Sequence, residues 1–289
     1  MKKTITILTI ITAVLATICC VMGIFDKEQY HYEPVKTAWG EEIILYQEGV
    51  YARDSVSMAS QAVAQDHITL FVGVPILLIT LYMATKCGKK WLLFLTGIIG
   101  YFFYAYLPYA TLVAYNQCYL LYVLLISVGL YNLILCMLQI VKTEFPVHYF
   151  AHVPSKALAI FEMITGACLA GMWLSRIVGG ALEQTAPVGL EHYSTLTIQT
   201  FDLAVIVPLS FVCGYLLLKK NKLGYVLCVL LQVKGIAMAM AVSAMVVGMM
   251  RNGVEVTLME KVFFPTVFVI SVAFLSRICL GIKKAEQEA

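Results

Sequence analysis

Eight long apolar stretches, separated by short polar segments, constrain this chain more than any other feature of its sequence. Each is long enough to cross about 30 Å of hydrocarbon as a helix of about 20 residues. Helices satisfy their own backbone hydrogen bonds in lipid, and uninterrupted Leu, Ile, Val and Phe lack the alternation of a membrane β-barrel. We therefore predict an all-α, polytopic transmembrane helical bundle that forms a single membrane domain. Its spans lie near residues 4–25, 66–85, 91–112, 117–141, 157–178, 198–218, 223–250 and 261–282 of the domain 1–289.

The composition indicates that lipid surrounds most of the chain. Hydrophobic residues make up 61% of the 289 residues and charged residues 13%. The charged share is about half that of a typical soluble domain, too little to cover the apolar residues with polar surface. The net charge of +3 is small and its basic residues are dispersed, so no nucleic-acid partner is indicated.

The basic residues predict the orientation of the bundle. One set of connecting segments contains Lys2, Lys3, Lys86, Lys89, Lys90, Lys142, Lys156, Lys219, Lys220, Lys222, Lys283 and Lys284. The opposite set contains only Lys27, Lys36, Arg53, Arg251 and Lys261, with Arg176 near its boundary. By the positive-inside rule, the first set and both termini are cytoplasmic. The first span is predicted to be a retained anchor, with a removed secretory signal as the alternative.

The nine cysteines indicate neither disulfides nor a redox centre. All but Cys87 fall within apolar stretches and no C-x-x-C occurs, so we interpret them as small buried hydrophobes. A P-loop, a G-x-S-x-G, an H-E-x-x-H and a dinucleotide fingerprint are also missing from the sequence. The sequence therefore predicts no metal, no cofactor and no catalytic residue, and it favours a protein that is not an enzyme.

Two opposite charges in neighbouring spans are the strongest functional signal. Asp202 and Lys234 lie at similar depths in the sixth and seventh spans, which the short turn 219–222 makes antiparallel neighbours. A charge inside a span costs roughly 2.5–3.5 kcal/mol, so it usually faces a partner or a polar cavity. Gln199 precedes Asp202 by one turn on the same face, and Pro208 is expected to kink the helix. The pattern predicts direct contact between the two charges, as a structural pair or as a charge relay at a binding site.

Other polar residues inside the spans are weaker candidates. Glu162 shares a helix face with small residues, so it either faces protein or pairs with Lys156 near the cytoplasmic headgroups. Gln232 lies in the seventh span, on a different side of the helix from its lysine. Tyr104 and Asn132 either join helices by hydrogen bonds or line a polar cavity.

The external segment 26–65 is large enough to have structure of its own. Residues Glu42–Tyr51 have the alternation of a short strand or hairpin, and Asp54 or Ser55 can cap the helix that leads into the second span. Acidic residues outnumber basic ones in this segment. It is therefore either a lid over the external mouth or a vestibule whose negative field favours cations.

Several short motifs resemble an uncharacterised family of bacterial multi-pass integral membrane proteins. They are Phe201-Asp202-Leu203, Val207-Pro208, Gly224-Tyr225, Lys234-Gly235, Gly49-Val50-Tyr51 with Asp54, and Tyr115-Asn116. The resemblance spans much of the chain, although each motif is short. It implies a location in the bacterial plasma membrane and places both candidate charges in the most distinctive segment. The family has no established activity to carry over.

These observations lead to three functional expectations. The first is an integral membrane protein that binds or transports a small polar solute or cation through the Asp202/Lys234 region. The second is a non-catalytic sensor, assembly partner or accessory subunit, because no recognised motif is present and the external segment is predicted to be ordered. The third is an intramembrane enzyme acting on lipid or quinone, with Asp202 or Glu162 as its general base.

Overall fold

The computed structural model describes residues 2–143, 145 and 147–288, and within them it confirms the all-α bundle. Eight helices in this described part are long and apolar enough to cross a membrane. Eight crossings bring the two ends of the chain to the same side, whose cytoplasmic identity stays a prediction from the basic residues. The opposite end of the bundle and the segment 26–55 are named external after the same prediction. The helices are α1 (Lys3–Phe25), α2 (Val56–Lys86), α3 (Lys90–Thr111), α4 (Tyr119–Thr143), α5 (Ser155–Glu183), α6 (Thr197–Leu218), α7 (Lys222–Arg251) and α8 (Leu258–Glu288).

The second span begins earlier than its hydropathy predicts. The sequence placed it near residues 66–85, but α2 begins at Val56. Ser55 caps it, as predicted, by accepting a hydrogen bond from the Met58 amide at 3.0 Å. The added turns contain small and polar residues such as Ser60, which is buried against protein. A hydropathy average counts small and polar residues against a span even where they are buried against protein. It therefore places the start of α2 too late in the chain.

Helix α3 lies at the centre of the bundle and α8 at its periphery. In the most apolar stretch of α3, 72% of the residues are buried, against 11% in α8. Helix α3 packs against α2, α4 and α7, whereas α8 packs mainly against α7. A Cβ added at Gly97 of α3 would lie 2.6 Å from the Cβ of Val233 in α7. The missing side chain therefore permits the close approach of the two helices that carry Tyr104 and Lys234.

Two spans contain a π-helical segment at the same distance before a proline. The segments are Thr69–Gly73 in α2, followed by Pro75, and Asp202–Ile206 in α6, followed by Pro208. Proline removes one amide donor from a helix, and the sequence predicted a kink for this reason. The structure has a widened turn before each proline, and in α6 the amide of Val207 donates to the carbonyl of Asp202. Such turns are frequent at functional sites. The kink at Pro208 stays a prediction.

The external segment folds on itself and then onto the bundle. A two-stranded antiparallel sheet pairs β1 (Val35–Lys36) with β2 (Glu42–Ile43), and a 3-10 turn follows at Gly49–Tyr51. Of the short strand or hairpin predicted within 42–51, the structure has the short strand, β2, whose partner β1 lies upstream of that stretch. Lys27 and Glu48 form an ion pair at 2.6 Å that closes the base of the segment.

Two glycines of α3 test the packing at the bundle centre. Gly97→Ala forces a Cβ against Val233, whereas nothing lies within 4 Å of a Cβ added at Gly100. We expect Gly97→Ala to lower the unfolding free energy by about 1–3 kcal/mol, as overpacking does. Gly100→Ala should raise it by up to about 1 kcal/mol through helix propensity. Chemical denaturation in detergent micelles measures both, and equal effects at the two positions would contradict the packing.

Candidate functional site

The Asp202 carboxylate is buried and accepts hydrogen bonds from two uncharged donors. The hydroxyl of Tyr104 in α3 donates to one oxygen, and Trp173 Nε1 in α5 donates to the other at 2.8 Å. Asp202 itself begins the π segment of α6 and is 7% exposed. One side chain thus joins three helices. Hydrogen-bond donors that point at a buried carboxylate stabilise it even where no basic side chain contacts it.

Lys234 contacts the ring of Tyr104 rather than the carboxylate of Asp202. Its Nζ lies 3.8 Å from the centroid of that ring, which is cation–π geometry. Among the described residues, no ion pair within 4.0 Å joins the two charges. The predicted direct contact is therefore wrong. The tyrosine stands between them because its hydroxyl reaches Asp202 while its face remains open to the lysine.

A cavity of about 480 Å³ contains these groups and extends to the external end of the bundle. Its deep end includes Thr165, Asp202 and Lys234, and its outer end includes residues of the α5–α6 and α7–α8 connections. The polar lining includes Gln61, Gln65, Tyr104, Tyr109, Thr165, Trp173, Arg176, Glu191, Tyr193, Gln199, Asp202, Lys234, Glu255 and Glu260. The apolar lining includes Leu112, Leu169, Met172, Met238, Val242, Met245, Phe263 and Phe264. Pockets of this size and mixture fit small organic molecules.

An ion pair lies at the external end of the cavity. Arg176 of α5 and Glu260 of α8 are 2.6 Å apart, and the Arg176 guanidinium also lies 5.4 Å from the ring centroid of Trp173. Because Trp173 donates to Asp202, a continuous series of contacts runs from the mouth to the deep end. The sequence showed Arg176 only as a basic residue near the boundary of its span and gave it no partner. The partner across the bundle is 84 residues away in sequence, so no local pattern shows it.

The remaining candidates divide between the cavity and other places. Gln199 lines the cavity on the same face as the deep carboxylate, as predicted. Glu162 and Gln232 do not line it; the Gln232 amide donates to Glu162 at 2.8 Å elsewhere in the bundle. Asn132 donates to Thr9 Oγ1 at 2.9 Å and joins α4 to α1, so it connects helices and does not line the cavity.

A second buried carboxylate, Asp66, was not predicted from the sequence. Tyr51 donates to it at 2.6 Å and Tyr109 at 3.0 Å, so tyrosines again replace a basic partner. The side chain is 1% exposed, and a Cβ added at Gly23 of α1 would lie 1.9 Å from its Oδ2. The sequence placed this residue at the outer end of a span. Because α2 begins at Val56, Asp66 lies inside the protein and not at the end of a helix. The Ser55 cap, which is visible in the sequence, is the signal that places the start of α2 before Asp66.

Gln65 presents an unused acceptor beside the cavity. Its Nε2 donates to Tyr101 at 2.6 Å and to Thr69 at 3.0 Å. Its buried Oε1 has no hydrogen-bond partner in the described part of the chain. Since Gln65 also lines the cavity, a buried acceptor without a partner in the described part of the chain lies at the cavity wall.

Asp54 fastens the external segment to the bundle. It is fully buried, and its Oδ1 accepts hydrogen bonds from the Ala114 amide at 2.8 Å and from Tyr193 at 2.9 Å. The neighbouring Ser55 donates to Glu191. Burial raises the pKa of Asp54 to about 7, although its two donors oppose the rise. Asp54 therefore connects the segment before α2 to the α3–α4 and α5–α6 connections, and its carboxyl group titrates near neutral pH.

Comparison with family models, with curated proteins and with solved structures finds no match to this chain. The functional argument therefore depends on the geometry of the cavity itself.

The raised pKa of Asp54 predicts a pH-dependent stability. The pKa of an Asp side chain in an unfolded chain is about 3.9. Between about pH 4 and pH 7 the folded state therefore binds more protons than the unfolded state. Stability should fall as pH rises through this range and level off above it. Asp54→Asn should shrink the difference in melting temperature between pH 5 and pH 8, and the exposed Glu42→Gln should leave it unchanged. An unaltered difference in the first variant would exclude Asp54 as the titrating group.

The position of Tyr104 between the two charges can be measured by double-mutant cycles. Tyr104→Leu removes the ring that lies under Lys234. The effects of Tyr104→Leu and Lys234→Met on the free energy of unfolding should therefore be non-additive by about 0.5–2 kcal/mol. Tyr104→Phe keeps the ring and removes only the hydroxyl. Tyr104→Phe should lower the free energy of unfolding by about 1–3 kcal/mol, because Asp202 loses a donor. Its effect should be additive with that of Lys234→Met to within about 0.5 kcal/mol. Additivity in the leucine cycle would refute the contact. Denaturation in detergent micelles supplies the free energies.

Proposed function

We propose that this protein binds a small polar solute in the cavity and carries it across the membrane. The observation that carries the proposal is the half-buried ammonium of Lys234, which faces a cavity of about 480 Å³ and has no hydrogen-bond acceptor among the described residues. A cation inside a membrane bundle without such an acceptor is costly. An acceptor on a bound solute would offset that cost.

The polar groups at the deep end favour a solute with an acceptor over a bare cation. Both oxygens of Asp202 already accept hydrogen bonds from aromatic donors, so this carboxylate is partly satisfied. Within the described residues the Lys234 ammonium lies over a ring face without a hydrogen-bond acceptor, and Gln65 has an unpaired oxygen. A solute with an anionic or carbonyl group toward Lys234, a donor toward Gln65 and an apolar body against the methionine-rich wall suits this arrangement.

Two features support transport over binding alone. The cavity reaches the external end, while α3 and α7 are tightly packed near Gly97 toward the lysine-rich end. Movement of a solute past this packing requires a change in helix arrangement. The π segments before Pro75 and Pro208 lie in α2 and α6, both of which line the cavity, and interrupted helices serve such rearrangements in transporters.

We place this activity in the bacterial plasma membrane, with the cavity open to the outside. The orientation follows from the lysine-rich connections and the location from the family resemblance. A sensing or accessory role is the second candidate. The ordered external segment, docked through Asp54, favours it because such a segment offers a surface to another protein.

Trp173 provides a direct test of solute binding because it lines the cavity. In a background of Trp39→Phe and Trp91→Phe it is the remaining tryptophan of three. We expect its fluorescence to change on adding an apolar monocarboxylate or amino acid, such as phenylacetate or leucine, but not on adding Na⁺ or K⁺. Lys234→Met should lower the affinity measured by this fluorescence change about tenfold or more, because a charged hydrogen bond to the solute is lost. Substitution of the exposed Lys261 by Met should leave the affinity unchanged.

The same probes distinguish transport from sensing. Proteoliposomes that accumulate a bound probe, and lose the uptake with Lys234→Met, support the transporter. Binding without uptake under any proton or sodium gradient would instead favour the sensor or accessory subunit. No fluorescence response to any probe, or an equal response in Lys234→Met, would overturn the proposed site.

A further inference from the structure

A cluster of metal-ligating side chains lies outside the cavity. Glu162 of α5, Cys213 of α6 and Cys228 of α7 place a carboxylate oxygen and two sulfurs within 4.8 Å of one another. All three residues are buried, with both cysteines at most 1% exposed. Three consecutive spans thus bring their donor atoms to one point in the protein interior.

The three residues lie at one depth in the bundle. Glu162 is seven residues from the start of α5, Cys213 five from the end of α6, and Cys228 six from the start of α7. At 1.5 Å per residue these distances are about 8–11 Å from the same, lysine-rich end. The external cavity is lined by none of the three, so the cluster is a separate feature near the opposite face.

Glu162 lacks the partners that a buried carboxylate needs. Its hydrogen bond from Gln232 Nε2, at 2.8 Å, is neutral, and no ion pair within 4.0 Å reaches it among the described residues. The Oε1 atom of Gln232, which is 2% exposed, is buried without a partner in the same part of the chain. An ionised carboxylate and an orphaned amide oxygen are both costly in an apolar interior. A bound cation would satisfy both.

We propose that Glu162, Cys213 and Cys228 bind a Zn²⁺ ion, with Gln232 as the fourth ligand after its amide turns over. Two sulfurs favour Zn²⁺ over Mg²⁺ or Ca²⁺, which prefer oxygen, and four ligands of this mixture suit its tetrahedral coordination. Binding displaces one proton from each thiol to solvent. The resulting complex carries one net negative charge, the same as an ionised Glu162 alone. The ion would join α5, α6 and α7 beneath the floor of the cavity.

Cobalt titration of the purified, chelator-washed protein tests the site. Co²⁺ bound to thiolates absorbs in the near ultraviolet, and Zn²⁺ should abolish that absorption at one equivalent per chain. Cys213→Ser and Cys228→Ser should each remove the band, and Gln232→Leu should weaken binding about tenfold. Cys136→Ser is the matched control, since Cys136 is equally buried but its thiol meets Asn132 in α4.

A second measurement keeps the result independent of variant folding. Zn²⁺ should raise the melting temperature of the unmodified protein, and a chelator should reverse the rise. The absence of a cobalt band in the parent overturns the assignment, as does a band that survives both serine substitutions. A Cys213–Cys228 disulfide in protein purified under reducing conditions would also overturn it. None of these measurements uses a transport solute, so their outcome is independent of the proposed function.

Discussion

The buried carboxylate of Asp202 is the constraint on which the candidate site depends. A carboxylate in an apolar interior must be surrounded by donors, and these come from Tyr104 in α3 and Trp173 in α5. Meeting that requirement fixes the positions of α3, α5 and α6 relative to one another. It also orients the Tyr104 ring so that Lys234 of α7 can lie against its face. One desolvated charge thereby organises four helices around the deep end of the cavity.

In the described part of the chain, uncharged donors stabilise the buried acids of the bundle, and basic side chains do not contact them. Asp202 accepts from Tyr104 and Trp173, Asp66 from two further tyrosines, and Glu162 from Gln232. If Lys234 neutralised Asp202 directly, both groups would be satisfied internally and neither would need a ligand. Because a tyrosine separates them, the Lys234 ammonium faces the cavity with no hydrogen-bond acceptor among the described residues.

The two ends of the bundle are held together by different kinds of contact. The external end has the cavity and polar contacts around it, namely the Arg176–Glu260 ion pair and the hydrogen bonds that Asp54 accepts. The lysine-rich end has close helix contacts at Gly97 and the Glu162 cluster. Between them, α2 and α6 each contain a π segment, a widened turn of a kind that is frequent at functional sites.

The sequence by itself determined the fold class, the eight spans, the Ser55 cap and the two charged residues that line the cavity, Asp202 and Lys234. Apolar length and unpaired intramembrane charge are local properties, so they can be read along the chain. Only the tertiary structure decided how those charges are satisfied. The Tyr104 contact joins residues 98 positions apart, and the Arg176–Glu260 pair joins residues 84 apart. Hydrogen-bond partners across helices depend on rotation and depth to within a few ångström, and sequence spacing does not specify either.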